Sequence, residues 1–151
     1  MNRTIQPPAH VLVEECATGP MWMEDGIVVI SNRVEKYTMQ EAIKNVLRCS
    51  QLTGGVRRPL LVDITAVRSI SREAREYYAS EAGASTISAL ALLTNSKVCT
   101  FIGNFFIGMH KTSVPRRLFT SADEAKAWLK KYTDPGFESA HAATERAAQL
   151  T

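Results

Sequence analysis

Two short runs, PLLVDI at 59–64 and ISALALLT at 87–94, are almost wholly apolar. Each is too short to cross a bilayer and lacks the alternation of a half-exposed strand, so each predicts a strand buried on both faces. Strands of that kind pair in parallel, and parallel neighbours need a crossover between them. The intervening SREAREYYASEAGA (71–84) supplies it as a predicted helix, with Ser71 as N-cap and Glu73 in the favourable first turn.

The other segments fit the same plan. HVLVEECATGPMWMEDGIVVISN (10–32) strings β-formers around two turn signals, Gly19-Pro20 and Asp25-Gly26, and predicts an antiparallel hairpin or three-strand meander. A helix follows from about Met39 to Leu52, opened by a Thr38–Glu41 capping box and stopped by Gly54-Gly55. Its apolar positions Met39, Ala42, Ile43, Val46 and Leu47 recur at helical spacing. SKVCTFIGNFFIGMH (96–110) predicts a third helix, with Val98, Phe101, Ile102, Phe105, Phe106 and Met109 on one stripe. VPRRLFT gives a last strand. Ser121 and Glu124 cap a final helix through ADEAKAWLKKY, and residues 133–151 form a frayed or docked tail. The predicted class is α/β, a mixed sheet that begins with antiparallel strands and continues βαβαβα, with helices packed against it.

At 151 residues the chain suits a single domain that buries its own core, and 45% hydrophobic with 22% charged residues is ordinary globular composition. A net charge of +3 without a dense basic run does not point to nucleic acid. Cys16, Cys49 and Cys99 are odd in number and widely spaced, which predicts free thiols in a core rather than a disulfide framework. No apolar leader opens the N-terminal segment, so a cytoplasmic address is expected.

Motifs for chemistry are sparse. His10, His110 and His141 each stand without a second ligand at metal-binding spacing, no GxSxG elbow marks a nucleophile, and Gly54-Gly55 precedes Arg57-Arg58 rather than a helix. No catalytic residue, metal or cofactor is assigned, and the chain is read as a non-enzyme. Asp63 falls at the carboxyl edge of its strand, where it serves either a ligand or the backbone amides of the following loop. On the predicted topology Ser69, Ser71, Arg72, Thr94, Asn95 and Lys97 share that edge, where two helix N-termini would meet an anion or a partner's acidic loop. The other candidate is FIGNFFIGMH (101–110). Gly103 and Gly108 cost its helix about 1 kcal/mol each relative to Ala, and Lys111, Arg116 and Arg117 set a basic rim beside its apolar stripe.

The stretches PLLVDITAVRSISREAREYYAS, SALALLTNS, GNFF and VPRRLFTSADEAKAWL, between Pro59 and Leu129, resemble the STAS-like (SpoIIAA-like) family of small bacterial proteins. The resemblance implies a small mixed sheet with helices packed against it. Anti-sigma-factor antagonists of that family carry a DSSG-type motif whose serine is phosphorylated to switch partner binding. Here Ser71 stands at the position of the aspartate and Arg72 at that of the phosphorylated serine, so the switch lacks its serine. Related members are associated with non-polar ligands or membranes, in the manner of CRAL-TRIO lipid-transfer domains.

Two readings of function follow. The first is an interaction or regulatory module whose unidentified protein partner docks on the rim of Ser71, Arg72, Thr94, Asn95 and Lys97. The second is a carrier or sensor of a non-polar, lipid-like ligand, with Phe101, Phe105, Phe106 and Met109 as pocket wall. The same aromatic helix is the part expected to touch a membrane peripherally or to pair two copies as a homodimer.

Overall fold

A computed structural model of the protein describes residues 4–84, 86–95 and 114–133. The chain runs β1 (Val13–Cys16), β2 (Gly19–Glu24), β3 (Ile27–Ser31), β4 (Lys36–Tyr37), α1 (Met39–Thr53), β5 (Arg58–Asp63) and β6 (Ser69–Ile70). It continues through α2 (Arg72–Ala79), α3 (Glu81–Ala84), β7 (Ile87–Leu93), β8 (Arg116–Phe119), α4 (Ala122–Leu129) and a 3-10 turn at Lys130–Tyr132. The sheet order is β1-β2-β3-β5-β7-β8, antiparallel across the first three strands and parallel across the rest. This is the mixed α/β architecture that the two apolar runs predict, and the N-terminal segment resolves into the meander. The predicted helix at 96–110 and the tail beyond Thr133 lie outside the described residues.

The sheet is covered on both faces, which is why its central strands carry almost no polar residues. Val28, Ile30, Leu60, Leu90 and Leu92 face one core, packed with Cys49 and Ala84. The alternate residues Ile27, Val29, Leu61, Ala89, Ala91 and Leu93 face a second core with Trp22, Phe119 and, from α4, Ala125 and Leu129. The small side chains of Ala89 and Ala91 let α4 approach β7 closely. Asp25 and Gly26 both take positive φ, the conformation of a two-residue turn whose twist matches the strands it joins.

Three features depart from the sequence reading. In α1 the fully buried residues are Ala42, Asn45 and Cys49, while Met39 and Leu47 are exposed, so the buried stripe is rotated from the expected one. Asn45 belongs to that stripe because a polar partner waits for it. The predicted helix at 71–84 is broken at Ser80, whose backbone is extended and whose hydroxyl donates to the Tyr77 carbonyl and accepts from the Gly83 amide at 3.2 Å. A Cβ at Gly83 would sit 2.1 Å from the Tyr77 carbonyl oxygen, so the break needs glycine there. Finally, β4 and β6 form a separate two-stranded parallel ribbon within segments that sequence periodicity leaves as loop.

The capping signals hold. The Thr38 amide donates to Glu41 Oε2 at 2.7 Å, Ser71 accepts from the Ala74 amide at 3.1 Å, and Ser121 accepts from the Glu124 amide at 3.3 Å. Cys49 is buried and Cys16 half-buried, both as free thiols; Cys99 lies outside the described residues. No helix among them is long and apolar enough to cross a membrane.

Candidate functional site

The crossover that places α1, α2 and α3 on one face of the sheet leaves a cavity of roughly 60 Å³ beneath them. Its floor is Ile30, Leu60, Val62, Leu90 and Leu92, and its walls include Val46 and Cys49 from α1, Ile70 from β6 and Tyr78 from α2. The surface is overwhelmingly hydrocarbon. The polar groups at its margin are Asn32, Tyr37, Asn45, Tyr78, Thr86 and Arg116.

One end is closed by a buried hydrogen-bond network whose directions can be worked out from its fixed donors. The Ala17 amide donates to Asn45 Oδ1 at 3.0 Å, which fixes the orientation of the Asn45 amide. Asn45 Nδ2 therefore faces Thr18 Oγ1 at 2.9 Å and donates to it, and the same nitrogen donates to the Tyr37 hydroxyl. Thr18 passes its own hydrogen on to Asn32 Oδ1. The hydroxyls of Tyr37 and Tyr78 hydrogen-bond to each other. Burial pushes the Tyr37 phenol up to about 12, and it drives the Tyr78 hydroxyl well above its ordinary value, with the neighbouring Tyr37 adding to the effect. Burial likewise pushes the Cys49 thiol up to about 11.

Arg116 forms the other end. In register it lies beside Leu90, which lies beside Leu60 and, through it, Val28. Asn32 is four residues further along the strand direction and three strands away, so the two residues occupy opposite corners of the covered face. Arg116 Nη2 donates to the Tyr78 carbonyl at 3.2 Å, while Nε and Nη1 are shielded from water and without a partner among the described residues. Burial pulls its pKa down, although a guanidinium remains charged at any physiological pH.

The residues singled out from sequence are placed as follows. Asp63 is wholly buried, and its carboxylate accepts from the Ile5 amide at 2.6 Å and the Thr65 amide at 2.9 Å. It is a latch between the N-terminal segment and the loop after β5, the second of the two roles expected for it. Ser69 is exposed and pairs with Lys36 in the ribbon, Ser71 caps α2, and Arg72 pairs with Glu76 one turn on at 2.9 Å. Thr94 is buried and its amide donates to the Phe119 carbonyl, whereas Asn95 is exposed. Lys97, Phe101, Phe105, Phe106 and Met109 lie outside the described residues, as do His110, Lys111 and His141. Of the predicted basic rim, Arg116 reaches the cavity and Arg117 stacks over the Phe119 ring at 5.1 Å.

Residues 21–133 match the family model described as Domain of unknown function (DUF7793). The chain belongs to that family. The cavity, its polar network and Arg116 therefore fall almost entirely within the DUF7793 domain, with Ala17 and Thr18 just ahead of its matched span. No curated protein matches the chain. Among solved structures, the DUF7793 chain is similar to an uncharacterized protein from the DUF3478 family with a SpoIIAA-like fold, from Shewanella loihica PV-4. The identity is 14%, the match covers 79% of this chain and 91% of that one, and the TM-score is 0.45.

Proposed function

We propose that the domain is a non-enzymatic binding module that takes a small, largely apolar molecule into the cavity between α1–α3 and the sheet. The observation that carries this reading is the cavity itself, hydrocarbon on its floor and walls with a few oriented polar groups at its ends, the usual composition of a small-molecule site. Its titratable groups support a non-catalytic role. Tyr37 and Cys49 hold their protons to about 12 and about 11, Tyr78 is raised as well, and Arg116 keeps its charge, so none of these cavity groups exchanges a proton near neutrality. Size narrows the ligand. An engineered cavity of about 150 Å³ holds benzene, which is about 25 Å³ per carbon, so roughly 60 Å³ takes about two or three carbons.

Protein docking at the Ser71–Arg72 edge has less support, because Ser71 is engaged as a cap and Arg72 in its pair with Glu76. Native mass spectrometry of detergent-free protein, with Ile70→Phe as a cavity-filling control, tests the reading. A small adduct on the wild type that the folded variant lacks is the expected result. A wild type that carries no adduct and shows no amide shift when n-butanol is added would sink it.

A further inference from the structure

The wall of the cavity is chemically one-sided. Among the described residues, its buried side-chain nitrogen and oxygen atoms without a hydrogen-bond partner are Asn32 Nδ2 and Arg116 Nε and Nη1. All three are donors. Asn32 is 1% exposed, its carbonyl accepts from Thr18, and its Nδ2 is left without an acceptor. An unpaired buried donor costs on the order of 1–3 kcal/mol, and more where it is charged, so a cavity walled in this way is complementary to a molecule that brings acceptors and negative charge.

Arg116 decides where that charge goes. Its guanidinium donates from one nitrogen to the Tyr78 carbonyl and takes part in no ion pair among the described residues. A guanidinium with unengaged N–H groups next to hydrocarbon is suited to a carboxylate on a short alkyl chain. We infer that the natural ligand is a short-chain monocarboxylic acid of about three or four carbons, its carboxylate on Arg116 and its alkyl end of about two or three carbons between Leu60, Leu90 and Cys49. This rests on the cavity reading above and names the chemistry of its ligand.

Titration of the wild-type chain with butyrate, n-butanol and octanoate, followed by amide chemical shifts, tests both levels separately. Butyrate is expected to shift cavity-lining amides and to bind about tenfold or more tighter than butanol, and octanoate to gain nothing from its longer chain. Arg116→Gln is expected to lose that advantage, with Arg116→Lys intermediate. Equal affinity for butyrate and butanol, or an Arg116→Gln variant that binds butyrate as the wild type does, overturns the carboxylate assignment and leaves the cavity reading standing. Octanoate binding about tenfold tighter than butyrate overturns the short chain. Failure of both butyrate and butanol to bind overturns the carboxylate and the cavity reading together. Should Arg116→Gln fail to fold, as judged by circular dichroism, the comparison of butyrate with butanol on the wild type decides alone.

Discussion

Tyr37 and Tyr78, forty-one positions apart, join their hydroxyls over one end of the cavity, with ring centroids 5.9 Å apart. The contact ties the short ribbon strand β4 to α2, and through Asn45 it reaches α1 and the β1–β2 turn. Four pieces of chain are thus held by one polar knot inside an apolar layer. Removing the Tyr37 hydroxyl leaves an Asn45 hydrogen with one acceptor fewer. Tyr37→Phe is therefore expected to lower stability by about 1–3 kcal/mol, measured as a lower urea midpoint with an unchanged slope.

Alkali should act on the same region. Cys49 ionises near 9.0 when unfolded and at about 11 when folded, and Tyr37 near 10.0 and at about 12. In both cases the folded state holds its proton longer, so each contribution is complete below the unfolded value and is lost as pH rises toward the folded one. Between pH 9 and 12 the slope is of the order of 1.4 kcal/mol per pH unit for each group while it lies between its two values. Denaturation midpoints measured across that range should fall, and Cys49→Ala should flatten the onset between pH 9 and 11.

Asp63 predicts a local effect. Its carboxylate holds the Ile5 and Thr65 amides from within the fold, so Asp63→Ala leaves two donors without their acceptor. A loss of about 2–4 kcal/mol is expected, with faster amide exchange at Ile5 and Thr65. Because Asp63 is not part of the cavity wall, ligand shifts at Leu60 and Leu90 should persist.

Gly83 is a test of the helix break. A methyl group there would meet the Tyr77 carbonyl oxygen at 2.1 Å and Tyr78 Cα at 2.9 Å, and both are backbone atoms that cannot turn aside. Gly83→Ala should cost about 2 kcal/mol or more, seen as a lower melting temperature, whereas the same change at Gly55, the residue after the α1 C-cap, meets no neighbouring atom and acts only through its positive φ.

Much of the fold can be read from the chain because the central strands announce themselves. PLLVDI and ISALALLT are apolar at both parities, and the structure needs both parities since each alternate residue enters a different core. Caps such as Ser71 and Ser121 are local, and local chemistry is legible. The site is another matter. Asn45 looks like an interruption of a hydrophobic stripe until Ala17, Thr18 and Tyr37 are brought around it, and these come from two other places in the chain. The β4–β6 ribbon has two residues on each side, too few for any periodicity. Arg116 could be seen as part of a basic rim, but only the pairing of β8 with β7 shows that it and its neighbour Arg117 face opposite ways.

The strand order also dictates a sequence of events. The meander β1–β2–β3 closes through turns of two residues, a microsecond process that needs nothing downstream. The edge of β3 that will receive β5 stays open until Pro59 to Asp63 arrive, and β5 in turn waits for β7. On a ribosome adding roughly 5–20 residues per second, that exposed parallel edge persists for seconds, so the stretch from Ile27 to Ser31 is where a nascent chain is most open to the wrong neighbour.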